Sequence, residues 1–283
     1  MKPDARFRNQ PEDFWANVRT ISEEVGYTEK RTKRIKVPTL QEASAALGNL
    51  GLKTQHLADG DRPTRLGSDL VGYFEHRAGV LNKLVRPHLM DVDRARKLFE
   101  RLRKRLKPQC PIPMNKQKGK KKAPAYLTGI VNMLVEANKG TLPCDYDPRQ
   151  LTTITRDGVP LRTLSRRVDG AFPSPVNPTA IWEIKEYYYT TTFGSRVADG
   201  VYESLLDGME LAELREHEDI YVRHYLVIDA KYTWWDCGKS YLCRIVDMLH
   251  MGYVDEVLFG HEVVGRLPEL VKEWVEITRD RGG

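Results

Sequence analysis

The sequence predicts an α/β protein, with a mixed β-sheet flanked by helices over residues 124–283 and a mostly helical, basic region over residues 1–107. Three observations carry this. The hydrophobic period changes at a Pro/Lys-rich seam, residues 108–123; beyond it strand-like and helix-like segments alternate; and the charge changes sign across it. Residues 1–123 hold 28 Lys and Arg against 14 Asp and Glu, whereas the remainder holds 17 against 25. A basic half on an acidic half points to a polyanion as partner of the first, with a merely solvated basic surface as the alternative.

In the N-terminal region, Phe14, Trp15, Val18, Ile21 and Val25 form one apolar helical face. Thr39-Leu40-Gln41-Glu42 reads as a capping box opening a helix that ends near Gly48 or Gly51. Segments Asp69 to Leu89 and Val92 to Leu106 complete the set, the last with seven Lys and Arg around Leu98, Phe99, Leu102 and Leu106. Such helices suit a helix-turn-helix or winged-helix DNA reader, and equally a plain bundle. The seam reads PQCPIPMNKQKGKKKAP, which is linker composition. Its Lys118, Lys120, Lys121 and Lys122 are candidates for clamping DNA phosphates, and the run also has the pattern of a nuclear-import signal.

Beyond the seam, Tyr126 to Asn138 is predicted as a helix stopped by Gly140 and Pro143. Leu151 to Thr155 is a strand, Asp157-Gly158 a hairpin turn, and Val159 to Phe172 the returning strand. After a turn at Pro173 to Pro178, Ala180 to Tyr189 is a third strand. A helix over Arg196 to Arg215, a buried strand over Tyr221 to Asp229, a helix over Ser240 to Met251, a short strand at Glu256 to Phe259 and a helix over Leu267 to Thr278 follow.

Composition narrows the classes. With 41% hydrophobic and 30% charged residues the composition fits a soluble globular protein and not a disordered one. No apolar run approaches the roughly 20 residues of a membrane helix, and the N-terminus lacks a secretory apolar stretch, so a cytoplasmic protein with no membrane partner is expected. Cys110, Cys144, Cys237 and Cys243 are scattered, which favours reduced thiols over a zinc knuckle. No phosphate-cradling glycine loop supports ATP dependence.

Chemistry concentrates on the third strand. Glu183 and Lys185 are two apart and share one face, whereas Ala180, Trp182 and Ile184 point into a core. Asp169 lies across the turn, where a hairpin brings it to Glu183. Two carboxylates side by side repel each other, and a hard divalent cation such as Mg²⁺ relieves that repulsion. A neighbouring lysine can orient or help deprotonate a metal-bound water, or stabilise developing charge. The alternative is a surface ion pair worth tenths of a kcal/mol.

Asp169, then Glu183-Ile184-Lys185, on this order of elements resembles the PD-(D/E)XK nuclease superfamily, and most of all its type II restriction endonucleases, over residues 124–283. The proline that often precedes the first acid is replaced by Val168. The resemblance implies a restriction-endonuclease-like sheet and Mg²⁺-dependent hydrolysis of phosphodiesters in double-stranded DNA. It implies Asp169, Glu183 and the Ile184 carbonyl as metal ligands, Lys185 as catalytic lysine, and Glu136 on the preceding helix in support. Cutting both strands implies a homodimer. A repair, transposition or defence nuclease on the same fold and a non-catalytic DNA-binding protein are the rivals, and RNA stays open as substrate.

Other residues compete for attention. Asp229-Ala230-Lys231 also spells D-x-K, with Asp219 as nearest partner, but Asp229 reads as the polar end of a core strand. Tyr187, Tyr188 and Tyr189, leading to Arg196, either line a DNA groove, with Tyr188 and Arg196 as contacts, or end the strand. Trp234 and Trp235 are expected in the core, and His217, His224 and His250 in structural or exposed positions.

Overall fold

The computed structural model describes residues 1–8, 10–60, 62–115, 123–190 and 194–282, without the side chain of Arg196. It is a mixed α/β protein. Helix α1 (Glu12–Val25) buries Phe14, Trp15, Val18 and Ile21. In α2 (Leu40–Asn49) the Thr39 side chain accepts from the Glu42 N–H at 3.1 Å, and the Glu42 carboxylate accepts from the Thr39 N–H at 2.9 Å. A short hairpin, β1 (Ala58–Asp59) and β2 (Arg62–Pro63), leads to α3 (Arg65–Val80), which passes through a π-turn at Leu81–Val85 into α4 (Arg86–His88). The predicted Asp69–Leu89 segment thus begins four residues earlier, because the Thr64 hydroxyl caps the Gly67 N–H at 3.1 Å.

Helix α5 (Val92–Leu106) presents Ala95, Leu98, Phe99 and Leu102 inward and its cations outward. It is followed by α6 (Tyr126–Asn138), and packing crosses the expected linker: Leu98, Phe99 and Leu102 share one core with Leu127, Ile130, Trp182 and Trp274. The described ends of the seam also pair, with Asn115 N–H donating to Ala123 O at 2.8 Å and Ala125 N–H to Pro113 O at 2.9 Å. Lys118, Lys120, Lys121 and Lys122 lie outside the described residues.

The main sheet has the order β5 (Gly170–Phe172), β6 (Ala180–Glu186), β7 (Arg223–Asp229), β8 (Glu256–Phe259). Strands β5 and β6 are antiparallel; β6/β7 and β7/β8 are parallel, joined by crossovers through α7 (Ser195–Glu218) and α8 (Lys239–His250). Helix α9 (Val263–Gly282) closes the chain and stacks Trp274 on Trp182, centroids 5.5 Å apart. That core lies on one face; the other packs on α8 and the π-turn after α3.

The expected three-strand meander is corrected. The returning strand breaks into β4 (Val159–Thr163) and β5, and β4 pairs only with β3 (Thr153–Arg156) as a separate ribbon. Its turn at Asp157 and Gly158 is the one predicted, both residues having positive φ (53° and 79°). Pro160 explains the break: it has no N–H to give a second neighbour, so β4 cannot sit inside a sheet.

The region of α1–α4 is tied to α8 through buried charge. Arg77 Nη1 reaches Asp247 Oδ1 and Oδ2 at 3.0 and 2.9 Å, Arg77 Nη2 the Ser22 hydroxyl at 3.1 Å, and the Tyr73 hydroxyl donates to Asp247 at 2.6 Å. Among the described residues, no helix is long and apolar enough to cross a membrane.

Candidate active site

The β5–β6 register pairs Gly170 with Trp182, so one step back brings Asp169 opposite Glu183. The Asp169 N–H reaches Trp182 O and Glu183 Oε1, each at 3.2 Å, and Asp169 Oδ2 accepts from the Ile184 N–H at 2.8 Å. Lys185 Nζ donates to Glu183 Oε2 at 2.9 Å. The structure therefore brings Asp169, Glu183, Ile184 and Lys185 together.

Three residues that the sequence reading missed complete the cluster. Arg166, in the loop before β5, grips Glu183 with contacts of 3.0 and 3.1 Å and reaches Asp207 Oδ2 at 2.6 Å and Glu203 Oε2 at 3.4 Å. Lys185 also donates to Glu203 Oε2 at 2.7 Å. Glu203 and Asp207 are i,i+4 on α7, and Asp207 falls among the apolar positions Val197, Val201, Leu211 and Leu214, so an acid at that core position was the available signal. Gly200 lets α7 come close: a Cβ there would stand 3.1 Å from Lys185 Cδ.

Burial sets the electrostatics. Glu183 is fully buried, which would raise its carboxyl, but the charges of Lys185 and Arg166 outweigh burial and hold it below its ordinary pKa. Burial works against the Lys185 charge too, yet Glu183 and Asp169 keep its ammonium well above the ordinary value. Asp169 opens to solvent at the residue level, but desolvation of its carboxyl and the Glu183 charge push its pKa up to about 6. Burial likewise pushes Asp207 up to about 7. A lysine held this firmly charged suits orientation and charge stabilisation, not proton abstraction.

Asp169 and Ile184 open onto a cleft of about 230 Å³, shared with Thr128, Glu186 and Tyr187. Glu136 does not join it: its carboxylate accepts from the Gln109 N–H at 3.2 and 2.9 Å. The acid that links α6 to the sheet is Glu186, which accepts from the Tyr126 and Thr128 N–H groups at 2.9 and 3.1 Å and which burial pushes up to about 7.

The competing residues have structural partners. Tyr188 gives its hydroxyl to Asp229, so it is no open stacking platform. Asp229 is fully buried and also accepts from the Met90 and Ala230 N–H groups at 2.7 and 2.8 Å, as the polar end of a core strand should. Trp234 is fully buried, its Nε1 donating to Lys185 O at 3.4 Å. Arg196 lies in α7, and its side chain is outside the described set.

Among the described residues no three His, Cys, Asp or Glu converge to hold a metal unaided. Mg²⁺ does not need three, since one or two carboxylates complete its shell with waters and a substrate phosphate. Asp169 Oδ1 makes no hydrogen bond among the described residues, while both Glu183 oxygens are engaged. The donor set fits a hard cation once Glu183 turns an oxygen from its cations.

The fold and cluster define an α/β protein with a buried acid–lysine centre at a sheet edge. The chain belongs to the family described as Domain of unknown function (DUF7687), whose model matches residues 90–274; residues 1–84 match Domain of unknown function (DUF7690). No curated protein and no solved structure matches it.

Proposed function

We propose that this protein is a Mg²⁺-dependent endodeoxyribonuclease of the PD-(D/E)XK type, most like a type II restriction endonuclease, acting on double-stranded DNA as a homodimer in the cytoplasm. One observation carries the reading: Asp169, Glu183 and Lys185 meet on an antiparallel hairpin, within hydrogen-bonding reach through side chain or backbone. The helix and parallel strand that follow, α7 and β7, support a restriction-endonuclease-like sheet.

On this reading Asp169 and Glu183 hold the metal, with the Ile184 carbonyl as third protein ligand by resemblance. When bound, Mg²⁺ polarises the scissile phosphate and makes its water acidic. Lys185 stays protonated and stabilises the charge that builds on phosphorus. Arg166 orients Glu183 and can shift to Asp207 and Glu203 when Glu183 turns to the cation. The outward cations of α5 and the seam lysines would meet DNA backbone.

The full engagement of Glu183 favours a second reading, a DNA-binding protein whose cluster is a buried ion-pair network. Incubation with supercoiled plasmid in Mg²⁺ or chelator separates the two. Cleavage is expected in Mg²⁺ alone, and Asp169→Ala, Glu183→Ala and Lys185→Ala are each expected to lower it at least about 10²-fold with DNA binding retained. Circular dichroism checks folding. Wild-type rates in all three variants would refute the assignment.

A further inference from the structure

A second cavity, of about 210 Å³, lies at the other end of the sheet and is lined by Lys2, Arg8, Arg215 and Arg223 together with Tyr221 and Tyr225. Arg223 pairs with Ala180 at the start of β6, three positions before Glu183 and five before Lys185, so this cavity begins about 10 Å along the strand from the first and about 17 Å from the second. We propose that it binds a phosphate group, held by Arg215 and Arg223 with Arg8 and the Tyr225 hydroxyl as further donors. The proposal does not depend on the nuclease reading.

The carboxylates in the cavity are already committed. Asp255 accepts from the Tyr221 hydroxyl and from the His224 N–H at 2.7 Å, and Glu256 and Glu273 each accept from Arg266 Nη2, at 2.6 and 3.0 Å. Arg8, Arg215 and Arg223 make no ion pair among the described residues, although acids stand beside them. Arg215 and Arg223 are held instead against the one Tyr221 ring, their guanidinium carbons 5.6 and 5.4 Å from its centroid. Two forks resting on one ring line the same cavity, which suits a tetrahedral oxyanion. Tyr225 accepts from Trp274 Nε1 at 2.9 Å, and its own proton has no acceptor among the described residues. Arg281, bonded to Tyr221 O at 2.6 Å, is made less basic by burial and by the neighbouring Arg223 charge. The volume is about seven waters' worth at roughly 30 Å³ each, room for a phosphate or diphosphate with some hydration.

The test titrates the whole protein, in chelator and low salt, with pyrophosphate, a nucleoside triphosphate and a short duplex DNA, by calorimetry. The double variant Arg215→Gln/Arg223→Gln removes charge from solvent-facing side chains, and its fold is checked by circular dichroism. Pyrophosphate is expected to bind the wild type and to bind the double variant at least about tenfold more weakly. Arg223→Lys, which keeps the charge and loses the fork, should fall between. If duplex affinity also falls, with the salt slope reduced by about one, the phosphate comes from a nucleic-acid backbone. If duplex affinity holds and triphosphate binding falls, it comes from a small phosphorylated ligand. Wild-type protein that binds none of the three probes, or a double variant that binds all as tightly, overturns the proposal.

Discussion

Asp169→Asn should stabilise the metal-free protein while abolishing its response to Mg²⁺. Desolvation and the Glu183 charge raise the Asp169 carboxyl from 3.8 to about 6, so its ionised form is disfavoured in the fold. At about 1.4 kcal/mol per tenfold change this corresponds to about 3 kcal/mol, which solvent screening at an open residue cuts to about 1 kcal/mol. The sign follows from proton linkage. A carboxyl whose pKa is higher folded than unfolded lends stability that is full below its unfolded value and is lost as pH rises through about 6. Asparagine keeps the oxygen that accepts from the Ile184 N–H and removes the charge. Urea unfolding in chelator should therefore show the variant about 1 kcal/mol more stable than wild type near pH 8, the gap closing near pH 4. Glu186, Asp207 and Asp229, each pushed up to about 7, titrate in both proteins and cancel in the difference. Mg²⁺ at about tenfold its Kd should add about 1.4 kcal/mol to wild type and nothing to the variant. A variant less stable than wild type near pH 8, or stabilised equally by Mg²⁺, refutes the reasoning.

Asp247→Ala strands the buried Arg77 guanidinium and should cost about 3–5 kcal/mol in urea unfolding; a loss under about 1 kcal/mol would mean that the pair does not tie α3 to α8. Gly170→Ala places a Cβ 2.0 to 2.4 Å from the Trp182 indole. It should lose about 1–3 kcal/mol and, by moving Asp169 off Glu183, most cleavage, and unchanged stability would show that the indole yields freely.

How much was legible in the sequence depended on whether the signal was local. Glu183 and Lys185 were found because a period of two fixes their common face whatever surrounds the strand. The Thr39 capping box and the Asp157-Gly158 turn were found because each is complete within four residues. The sequence does not tell which way Glu136 points, because α6 is buried on nearly every side, Tyr126, Leu127, Gly129 and the run Ile130 to Val135 among them, and leaves no apolar stripe to orient its acid. The expected division at residues 108–123 followed composition, but Phe99 packs against Tyr126 at 5.5 Å and α5 belongs to the core of the sheet. The family spans meet between residues 84 and 90, yet Leu81, Val85 and Leu89, around that point, share one core with Leu226 and Val257 of the sheet. Glu203 and Asp207 share an i,i+4 spacing on α7, but Arg166 comes from a loop that meets them only in the fold, and no spacing rule joins it to them.

The charge balance of the cluster explains why its metal-free form is so tightly paired. Four carboxylates, Asp169, Glu183, Glu203 and Asp207, face two cations, Lys185 and Arg166. Desolvated like charges cannot all ionise, and the rise of Asp169 to about 6 and Asp207 to about 7 is the protein's own answer: protons take the place of missing positive charge. Asp207 Oδ1 has no hydrogen-bond partner among the described residues although it is fully buried, and it offers a landing place for Arg166. On the proposed reading Asp169 and Glu183 would hold a divalent cation whose two positive charges would stand in for the borrowed protons, and Arg166 would then pair with Asp207 and Glu203 on α7. A cluster serving stability alone would gain little from these acids, since burying Glu183 and Asp207 costs free energy that apolar side chains of the same size would not.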